Sequence, residues 1–399
     1  MQMTVLYIIH QTLLMAGSAK SFLIMLQGLM QKGIHPVVVM PDKNGIYAEI
    51  VGMGVPTIVV PYRNNTYPWV HSFKDALLFF PRLVMRRVVI KLAVKKIVKE
   101  MAGTPIQLVH TNVGVCNIGF MVSRKLGVPH VYHIREYADK DHGMYFFPTR
   151  NSFLRQLTAP ASYNICITKD IQRHFLQQDS STSRVIYNGI QAAVETFPSL
   201  QQKEKFFLYA GRIVPIKGVL EMIKAYNAYK ERTEDAHPLY LIGELADKVY
   251  YDRIMAYLQK HHLERYVTIF GEKPDVQNWM RRALAIIIPS PCEGFGRCMP
   301  EAMFCGCLAI GHHTGGTWEQ LENGRIFTGD EIGLHYEEQE QLTELLLEVG
   351  KHPAEYYVPY LKRAFQTVNH FYTTESYVEK VYSFYEHIAH SHGLEKRSG

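Results

Sequence analysis

The residues whose types and spacing suggest chemistry lie in the stretch SPCEGFGRCMPEAM. Glu293 and Glu301 flank a loop that contains Gly294 and Gly296. A carboxylate offers two acceptor oxygens, which suit a vicinal diol such as that of ribose, and also other sugar hydroxyls. Complementing a helix dipole would explain Glu301 alone equally well, but it explains neither Glu293 nor the glycines.

Positive charge comes from a second stretch, YAGRIVPIKG. Arg212 and Lys217 follow a predicted strand, and Gly218 opens the next predicted helix. Two cations at a strand exit fit a diphosphate. Most surface Lys and Arg side chains are only solvated. The position favours the diphosphate, because both cations follow a strand at the sheet edge that Glu293 occupies.

The elements around the first stretch would aim it at a ligand. The apolar run LAIIIPS predicts a buried strand, and a helix is predicted to begin near Met299 with Pro300 in its first turn. A helix N-terminus presents unpaired N–H groups and partial positive charge, which suit an anion. Gly294 and Gly296 would let the backbone approach that ligand closely.

The whole chain of 399 residues alternates short apolar runs with amphipathic stretches. This alternation predicts parallel sheets covered by helices on both faces. A polar break, ETFPSLQQKE, divides the pattern into two halves. We predict an α/β protein with two doubly wound Rossmann-like domains, 1–195 and 196–374, facing a central cleft. Residues 375–399 would form a C-terminal helix that crosses back to the first domain, and a polar tail.

Composition narrows the function class. The net charge of +6 is mildly basic, and no zinc-finger or aromatic-basic repeat suggests nucleic acid. No signal peptide or apolar run of about 20 residues appears, and the six cysteines are irregularly spaced. We therefore expect free thiols in the cytoplasm. The pair Asp139 and Asp141 is read as a solvated turn, so no essential metal is expected.

Several motifs of the chain together resemble those of a known protein family. EGFGRCMPEAM, GGTWE and AGRIVPIKG, in this arrangement, resemble the motifs of the retaining glycosyltransferases of family 4, the glycosyl transferases group 1, which have the GT-B fold. HTN, HIREY, ITKDI and VIYNGI stand where that family carries similar stretches, so the resemblance runs from about Thr4 to Glu319. It implies sugar transfer from a nucleoside diphosphate sugar, UDP before GDP, without a cofactor.

The resemblance also implies roles for individual residues. Glu301 would hold the ribose, Arg212 and Lys217 the diphosphate, and Glu293 the donor sugar. His133 resembles the first-domain histidine near that sugar, and Ala16-Gly17-Ser18 resembles the family's N-terminal glycine loop. The expected catalytic residues are Arg212, Lys217, Glu293 and His133, and the expected donor-binding residues are Glu301, Phe295, Gly296, Gly294, Gly17, Ser18 and Arg297.

A long helix is predicted over 73–101, where basic residues alternate with Leu, Val and Ile. Such a helix could lie on anionic lipid at the inner face of the plasma membrane, or it could be a domain-cover helix with a solvated face. Family members often act on lipid-linked acceptors, which favours the membrane. The expected acceptor is a glycan or lipid-linked hydroxyl in bacterial surface polysaccharide synthesis.

Three other functions remain open. A dinucleotide oxidoreductase would need GxGxxG after the first strand, and IIHQTLLMAGSAKS has one glycine there. A sugar-nucleotide epimerase of the same two-domain fold would carry similar binding residues. A catalytically silent partner in a polysaccharide assembly complex would not need these binding residues to be intact.

Overall fold

The computed structural model describes residues 2–10, 13, 17–68, 70, 72–176 and 181–394, with only the backbone of His142. It divides into two compact units, Met1–Gly189 together with Thr374–Gly399, and Ile190–Thr373. The sequence placed the divisions at 195/196 and 374/375. Each unit carries its own parallel sheet and is described by itself.

The first unit contains, in its described part, a seven-stranded parallel sheet of order β3-β2-β1-β4-β5-β6-β7. Its strands are β1 (Met3–Ile8), β2 (Ile34–Met40), β3 (Thr57–Val59), β4 (Leu108–Thr111), β5 (His130–Ile134), β6 (Ser162–Cys166) and β7 (Ser183–Val185). Its helices before the division are α1 (Gly17–Gln31), α2 (Tyr47–Gly52), α3 (Phe73–Leu77), α4 (Phe79–Glu100), α5 (Ile118–Leu126), α6 (Asp139–His142), α7 (Arg150–Leu157) and α8 (Lys169–Leu176).

Both faces of this sheet are buried, as its continuous apolar strands predict. Val5 and Tyr7 of β1 belong to one core cluster, and Leu6 and Ile8 belong to a second. Alternate side chains of a strand point to opposite faces, so helices must cover both. The second cluster includes side chains of α4 and α5.

The second unit repeats the architecture with a six-stranded parallel sheet of order β10-β9-β8-β11-β12-β13. Its strands are β8 (Phe207–Ala210), β9 (Leu239–Ile242), β10 (Val267–Gly271), β11 (Ala285–Ile288), β12 (Leu308–His312) and β13 (Leu334–Tyr336). Its helices are α9 (Val219–Glu231), α10 (Lys248–Lys260), α11 (Val276–Arg282), α12 (Cys298–Phe304), α13 (Gly315–Thr328), α14 (Gln339–Lys351) and α15 (Val358–Phe371), with 3-10 turns at Pro215–Lys217 and Ala354–Tyr357.

The last helix, α16 (Thr374–Ser391), belongs to the first unit. Its apolar side chains, among them Tyr377, Val381 and Phe384, join the core cluster that also contains Phe22 of α1. At Gly28 of α1 a Cβ would lie 2.3 Å from a Val378 methyl group, so the missing side chain lets α16 approach. The expected return of the C-terminal helix to the first unit is confirmed.

The predicted α/β class and most of the predicted elements are confirmed, but the single helix over 73–101 is wrong. The chain ends α3 at Leu77 and starts α4 at Phe79. Pro81 explains the break, because proline has no N–H for the carbonyl four residues earlier and its ring clashes there. The sequence also gave no prediction for α7 or β13.

Candidate functional site

The predicted site residues of the second unit follow two neighbouring strands. β8 and β11 pair in parallel, with Ala285 opposite Phe207, so both chains leave the sheet at the same edge. Arg212 and Lys217 follow β8, and Glu293 follows β11. Parallel strands thus bring together stretches that are about 80 residues apart in the chain, and carboxyl ends of such strands are where α/β proteins bind ligands.

Lys217 and Glu293 form an ion pair across the two loops. The Lys217 Nζ lies 2.5 Å from Glu293 Oε2, and 21% and 17% of the two side chains are exposed. The approach of the loops depends on Gly218, whose φ is +66° and where a Cβ would lie 2.4 Å from the carbonyl oxygen of Pro289. Only glycine fits both the backbone conformation and the contact.

A second ion pair lies at the start of α12. The Arg297 Nε is 3.2 Å from Glu301 Oε1, one helical turn further on. Arg297 therefore contacts one of the two carboxylate oxygens of Glu301. The predicted helix start near Met299 is confirmed, and Pro300 stands in the first turn of α12.

The thiol of Cys298 lies near both ion pairs. Its Sγ donates to the carbonyl of Ala210 at the end of β8, at 3.0 Å. Burial raises the pKa of this thiol to about 12, with Glu301 and Glu293 raising it further and Lys217 and Arg297 opposing them. All four charged side chains therefore lie within electrostatic range of the Cys298 sulfur atom.

The loop between Glu293 and α12 rests on the beginning of α13. The N–H of Gly316 donates to the Glu293 carbonyl at 2.8 Å, and a Cβ on Gly316 would lie 2.6 Å from Phe295 Cα. Gln320 Nε2 donates to the carbonyl of Phe295. Gly296 has φ +76°, and a Cβ there would lie 2.9 Å from Glu293 Cγ. These contacts fix the backbone beside the charged pairs.

Unused donors remain in this loop. Within the part of the chain that the structure describes, the N–H groups of Phe295 and Gly296 have no hydrogen-bond partner. The buried hydroxyl of Thr317 likewise lacks a partner, and it lies 3.4 Å from where a Gly296 Cβ would be. Buried polar groups are normally satisfied, so a group that occupies this loop can be expected to use them.

Arg212 is placed by its backbone alone. Tyr209 donates its hydroxyl to the Arg212 carbonyl at 2.7 Å, which fixes the turn after β8. The Arg212 side chain is exposed and makes no ion pair or hydrogen bond with the described residues. The structure thus brings together Lys217, Glu293, Arg297 and Glu301, and leaves the guanidinium of Arg212 at their margin.

His133 belongs to the first unit and is fully buried. Its Nδ1 lies 3.2 Å from His110 Nε2 and 3.2 Å from Nη2 of Arg135. The same Nη2 also donates to the Tyr377 hydroxyl, and Nη1 of Arg135 donates to Asn188 Oδ1. Burial holds the pKa of His133 well below its usual range, and the charge of Arg135 adds to this effect. The imidazole is therefore neutral, and its buried Nε2 has no described partner.

Only part of the glycine loop predicted in the first unit lies within the described residues. Gly17 and Ser18 form the first residues of α1, where Gly17 is exposed and Ser18 is half-buried. Ala16 lies outside the described residues. The N-terminus of a helix presents N–H groups that suit an anion.

Asp139 and Asp141 are held apart by different partners. Asp139 Oδ1 is 3.0 Å from His174 Nε2, and Asp141 Oδ2 accepts from the N–H of Tyr137 at 2.9 Å. Both belong to the short helix α6 rather than to a turn. Among the described residues no cluster of three or more potential ligands of the His, Cys, Asp and Glu types occurs.

Sequence reasoning missed three residues at the site: Cys298, Gly316 and Thr317. The cysteine gave no signal, because its role depends on the backbone of β8 across the sheet. The doublet Gly315-Gly316 did give one, since adjacent glycines before a helix often mark a close backbone approach. All six cysteines are free thiols.

Comparison with known proteins agrees with this geometry. The family described as "Glycosyltransferase Family 4" matches residues 15–194, and "Glycosyl transferases group 1" matches residues 194–364. Fold and site thus define a glycosyltransferase with the GT-B fold. The chain belongs to glycosyltransferase family 4.

Individual relatives are distant. An uncharacterized glycosyltransferase of Methanocaldococcus jannaschii, MJ1178, is 27% identical over 214 residues, which are 52% of this chain and 55% of that protein. An N-acetylgalactosaminyltransferase of Campylobacter jejuni, named for a diacetylbacillosaminyl-diphospho-undecaprenol substrate, is 27% identical over 46% of this chain and 49% of its own. The chain thus spans about half the length of these curated relatives.

Solved structures match over nearly the whole length. The crystal structure of Anabaena Alr3699/HepE in complex with UDP and glucose has a TM-score of 0.73. It is 16% identical, and the alignment covers 96% of this chain and 100% of that one. At this identity the similarity establishes the fold. Within the described residues, no helix is long and apolar enough to cross a membrane.

Proposed function

We propose that this protein transfers a sugar from a nucleoside diphosphate sugar to a hydroxyl of a glycan or lipid-linked acceptor, with retention of configuration at the anomeric carbon. The donor is a UDP-sugar in preference to a GDP-sugar. The proposed setting is bacterial surface polysaccharide synthesis, in the cytoplasm and at the inner face of the plasma membrane. No cofactor or essential metal takes part.

One observation carries this proposal: two acid–base pairs, Lys217 with Glu293 and Arg297 with Glu301, lie beside the same half-buried cysteine, Cys298, at a sheet edge. Cations suit a diphosphate and carboxylates suit sugar hydroxyls, so a single cluster can hold both ends of the donor. The proposed roles are diphosphate binding for Lys217 and Arg212, ribose binding for Glu301, and donor-sugar binding for Glu293.

The loop supplies the remaining contacts. The N–H groups of Phe295 and Gly296 would donate to oxygens of the donor, and Gly294 would let the ligand come close to the backbone. Arg297 would hold Glu301 in place for the ribose. In the first unit, His133 would meet the donor sugar as a neutral imidazole, and Gly17 and Ser18 would approach the phosphates.

In the reaction, the bond between the anomeric carbon and the diphosphate breaks through an oxocarbenium-like transition state, and negative charge grows on the leaving diphosphate. Preorganised cations aimed at that charge lower the barrier, and removing one such donor typically costs about 3–4 kcal/mol. The leaving phosphate oxygen takes the acceptor's proton as the acceptor attacks from the same face.

The two ion pairs also explain how the buried charges of the site are stabilised when no ligand is bound. Two carboxylates and two cations, all more than three-quarters buried, balance each other. When a diphosphate arrives, Lys217 exchanges the Glu293 carboxylate for phosphate oxygens, and Glu293 becomes available to sugar hydroxyls. Binding the donor therefore creates the arrangement that the reaction uses.

Lys217→Ala tests the proposed chemistry. We expect the release of nucleoside diphosphate from the donor to fall by about 100- to 1,000-fold, with an unchanged circular dichroism spectrum. Lys248→Ala is the matched control, because Lys248 is 86% exposed and contacts only Asp252 on its own helix. Equal turnover in Lys217→Ala and wild type would refute the role of Lys217.

Product analysis separates the competing functions. Nuclear magnetic resonance of the product should show the anomeric configuration of the donor, and inversion would refute the retaining mechanism. A donor sugar that changes without any acceptor would instead indicate an epimerase. A protein that binds no nucleoside diphosphate would fit a non-catalytic partner.

A further inference from the structure

The first unit contains a cavity that is lined by both charged and apolar described residues. Its volume is about 610 Å³, and Asp42, Arg63, Arg82 and Arg86 are among the residues that line it. Asp42 follows β2, Arg63 follows β3, and the other two arginines lie on α4. The cavity thus opens at the carboxyl edge of the sheet, where α/β proteins bind ligands, and its volume is that of a small-molecule site.

The lining of this cavity, which we call the arginine pocket, carries excess positive charge. Three guanidinium groups face one carboxylate, that of Asp42, which already accepts from the N–H of Asn44 at 2.8 Å. Arg82 is paired with Asp75 outside the lining, at 2.6 Å. Arg63 makes no hydrogen bond or ion pair with any residue that the structure describes.

The third arginine is held in place by neutral partners. Arg86 Nη1 donates to the carbonyl and the hydroxyl of Thr66, both at 3.2 Å. Burial lowers the pKa of Arg86, and the charges of Arg63 and Arg82 lower it further. Arg63 and Arg82 are therefore each close enough to repel the charge of Arg86, and neutral hydrogen bonds orient Arg86 without balancing its charge.

Clustered cations without a matching anion are unfavourable, and a bound anion removes the repulsion. Guanidinium groups match phosphate oxygens with two parallel hydrogen bonds, so several arginines converging on one cavity suit a phosphate or diphosphate in particular. The arginines of this pocket, of which Arg63 and Arg86 have no carboxylate partner among the described residues, thus favour an anionic ligand.

We propose that the arginine pocket binds the phosphate or diphosphate group of the acceptor. This inference rests on the proposed function, because it names the acceptor class of the same enzyme: a hydroxyl compound that carries a phosphate ester or diphosphate. Met85 lines the pocket and is also 62% exposed, so an apolar group attached to the phosphate would leave the pocket along α4.

The test is calorimetric titration of the full-length protein with inorganic pyrophosphate. The protein is first saturated with UDP, which occupies the donor diphosphate site of the second unit. We expect the UDP-saturated protein to bind pyrophosphate, and Arg63→Gln to weaken this binding at least about tenfold, the effect of losing one charge-assisted contact. Arg63→Lys should bind with intermediate affinity, because it keeps the charge and loses the forked geometry.

Arg155→Gln is the matched control because it removes the same charge. Arg155 is exposed on α7, outside the pocket. This variant should leave pyrophosphate binding unchanged. An equal loss in both variants would mean that only net charge matters and would overturn the proposal. Undiminished pyrophosphate binding in Arg63→Gln would overturn it as well.

Two further results separate this inference from its alternatives. If Arg63→Gln reduces binding to phosphatidylglycerol-containing vesicles but not to pyrophosphate, the pocket serves a membrane surface and the inference is wrong. If the wild-type protein binds pyrophosphate through Arg63 but never binds a nucleoside diphosphate, the proposed function fails while the anion site stands.

Discussion

At the scale of single residues, the candidate site depends on partners that the ligand would replace. Lys217 and Glu293 neutralise each other at 2.5 Å, and Arg297 contacts Glu301 at 3.2 Å. Each charged side chain therefore has a fixed position before any donor arrives. The Arg297–Glu301 pair, which the proposed donor complex keeps, reduces the entropy that binding must otherwise overcome, whereas the Lys217–Glu293 pair must break.

Another single residue gives the first unit a specific dependence on pH. Burial raises the pKa of Glu136 to about 8, and the charge of Asp141 adds to the shift. Folded protein keeps a proton that the unfolded chain has released, so stability is present at low pH and falls as the pH rises towards 8. Histidines of lowered pKa act in the opposite direction, and their contribution extends above pH 6.5, where histidines of the unfolded chain are still partly protonated.

The difference in stability between wild type and Glu136→Gln therefore isolates Glu136, because the histidines contribute equally to both proteins. Between about pH 6 and 7 we expect the free energy of unfolding of wild type, relative to that of Glu136→Gln, to fall by about 1.4 kcal/mol per pH unit. Denaturant titrations at several pH values measure it. A wild-type slope that persists in Glu136→Gln would show that another group is responsible.

Sequence reasoning located the residues of the second unit well, because their positions follow from strand order. A strand exit predicts Lys217 and Glu293 at one sheet edge without any knowledge of side-chain contacts. The sequence did not predict which carboxylate pairs with which cation, because the pairing depends on loop conformations such as the positive φ of Gly218. The network of His133 with Tyr377 also could not be predicted, because 244 residues separate the two in the chain.

At the scale of elements, the break between α3 and α4 shows local chemistry overriding a periodic pattern. The apolar and basic residues of 73–101 continue through the break, but Pro81 prevents one continuous helix. On α4 the side chains of Phe80, Val84 and Leu92 are 73%, 62% and 61% exposed. They form a stripe at intervals of four or eight residues, with Lys95 and Lys99 beyond its end.

This apolar stripe suits an anionic bilayer, into whose boundary such helices insert their apolar face. We expect Phe80→Ser/Val84→Ser to bind vesicles of phosphatidylcholine and phosphatidylglycerol about tenfold more weakly than wild type, because two large apolar side chains no longer leave water. Co-sedimentation measures this. Val249→Ser, a change of a side chain that is 73% exposed in the second unit, is the control. Vesicle binding unchanged by the double substitution would make the stripe a solvated cover face.

At the scale of the whole molecule, the chain builds two units of the same architecture and returns to the first with α16. The chain crosses from one unit to the other twice, and the two crossing segments are adjacent: the N–H of Ile190 donates to the Tyr372 carbonyl at 2.9 Å. The paired acids and cations all belong to the second unit, and the arginine pocket belongs to the first. The two proposals thus place donor and acceptor recognition in different units.

That assignment makes the two kinds of recognition separable by mutation. A change at Lys217 should affect the nucleoside diphosphate and leave the arginine pocket intact. Conversely, a change at Arg63 should leave the nucleoside diphosphate site intact. The central claim is therefore that the paired cluster around Cys298 is the donor site.

Calorimetric titration with UDP tests that claim most directly. Wild type and Lys248→Ala should bind UDP with the same dissociation constant, while Lys217→Ala should bind at least about tenfold more weakly, because a charge-assisted contact to the diphosphate is lost. Wild-type affinity in Lys217→Ala, or the absence of binding of UDP and GDP to the wild-type protein, would contradict the account.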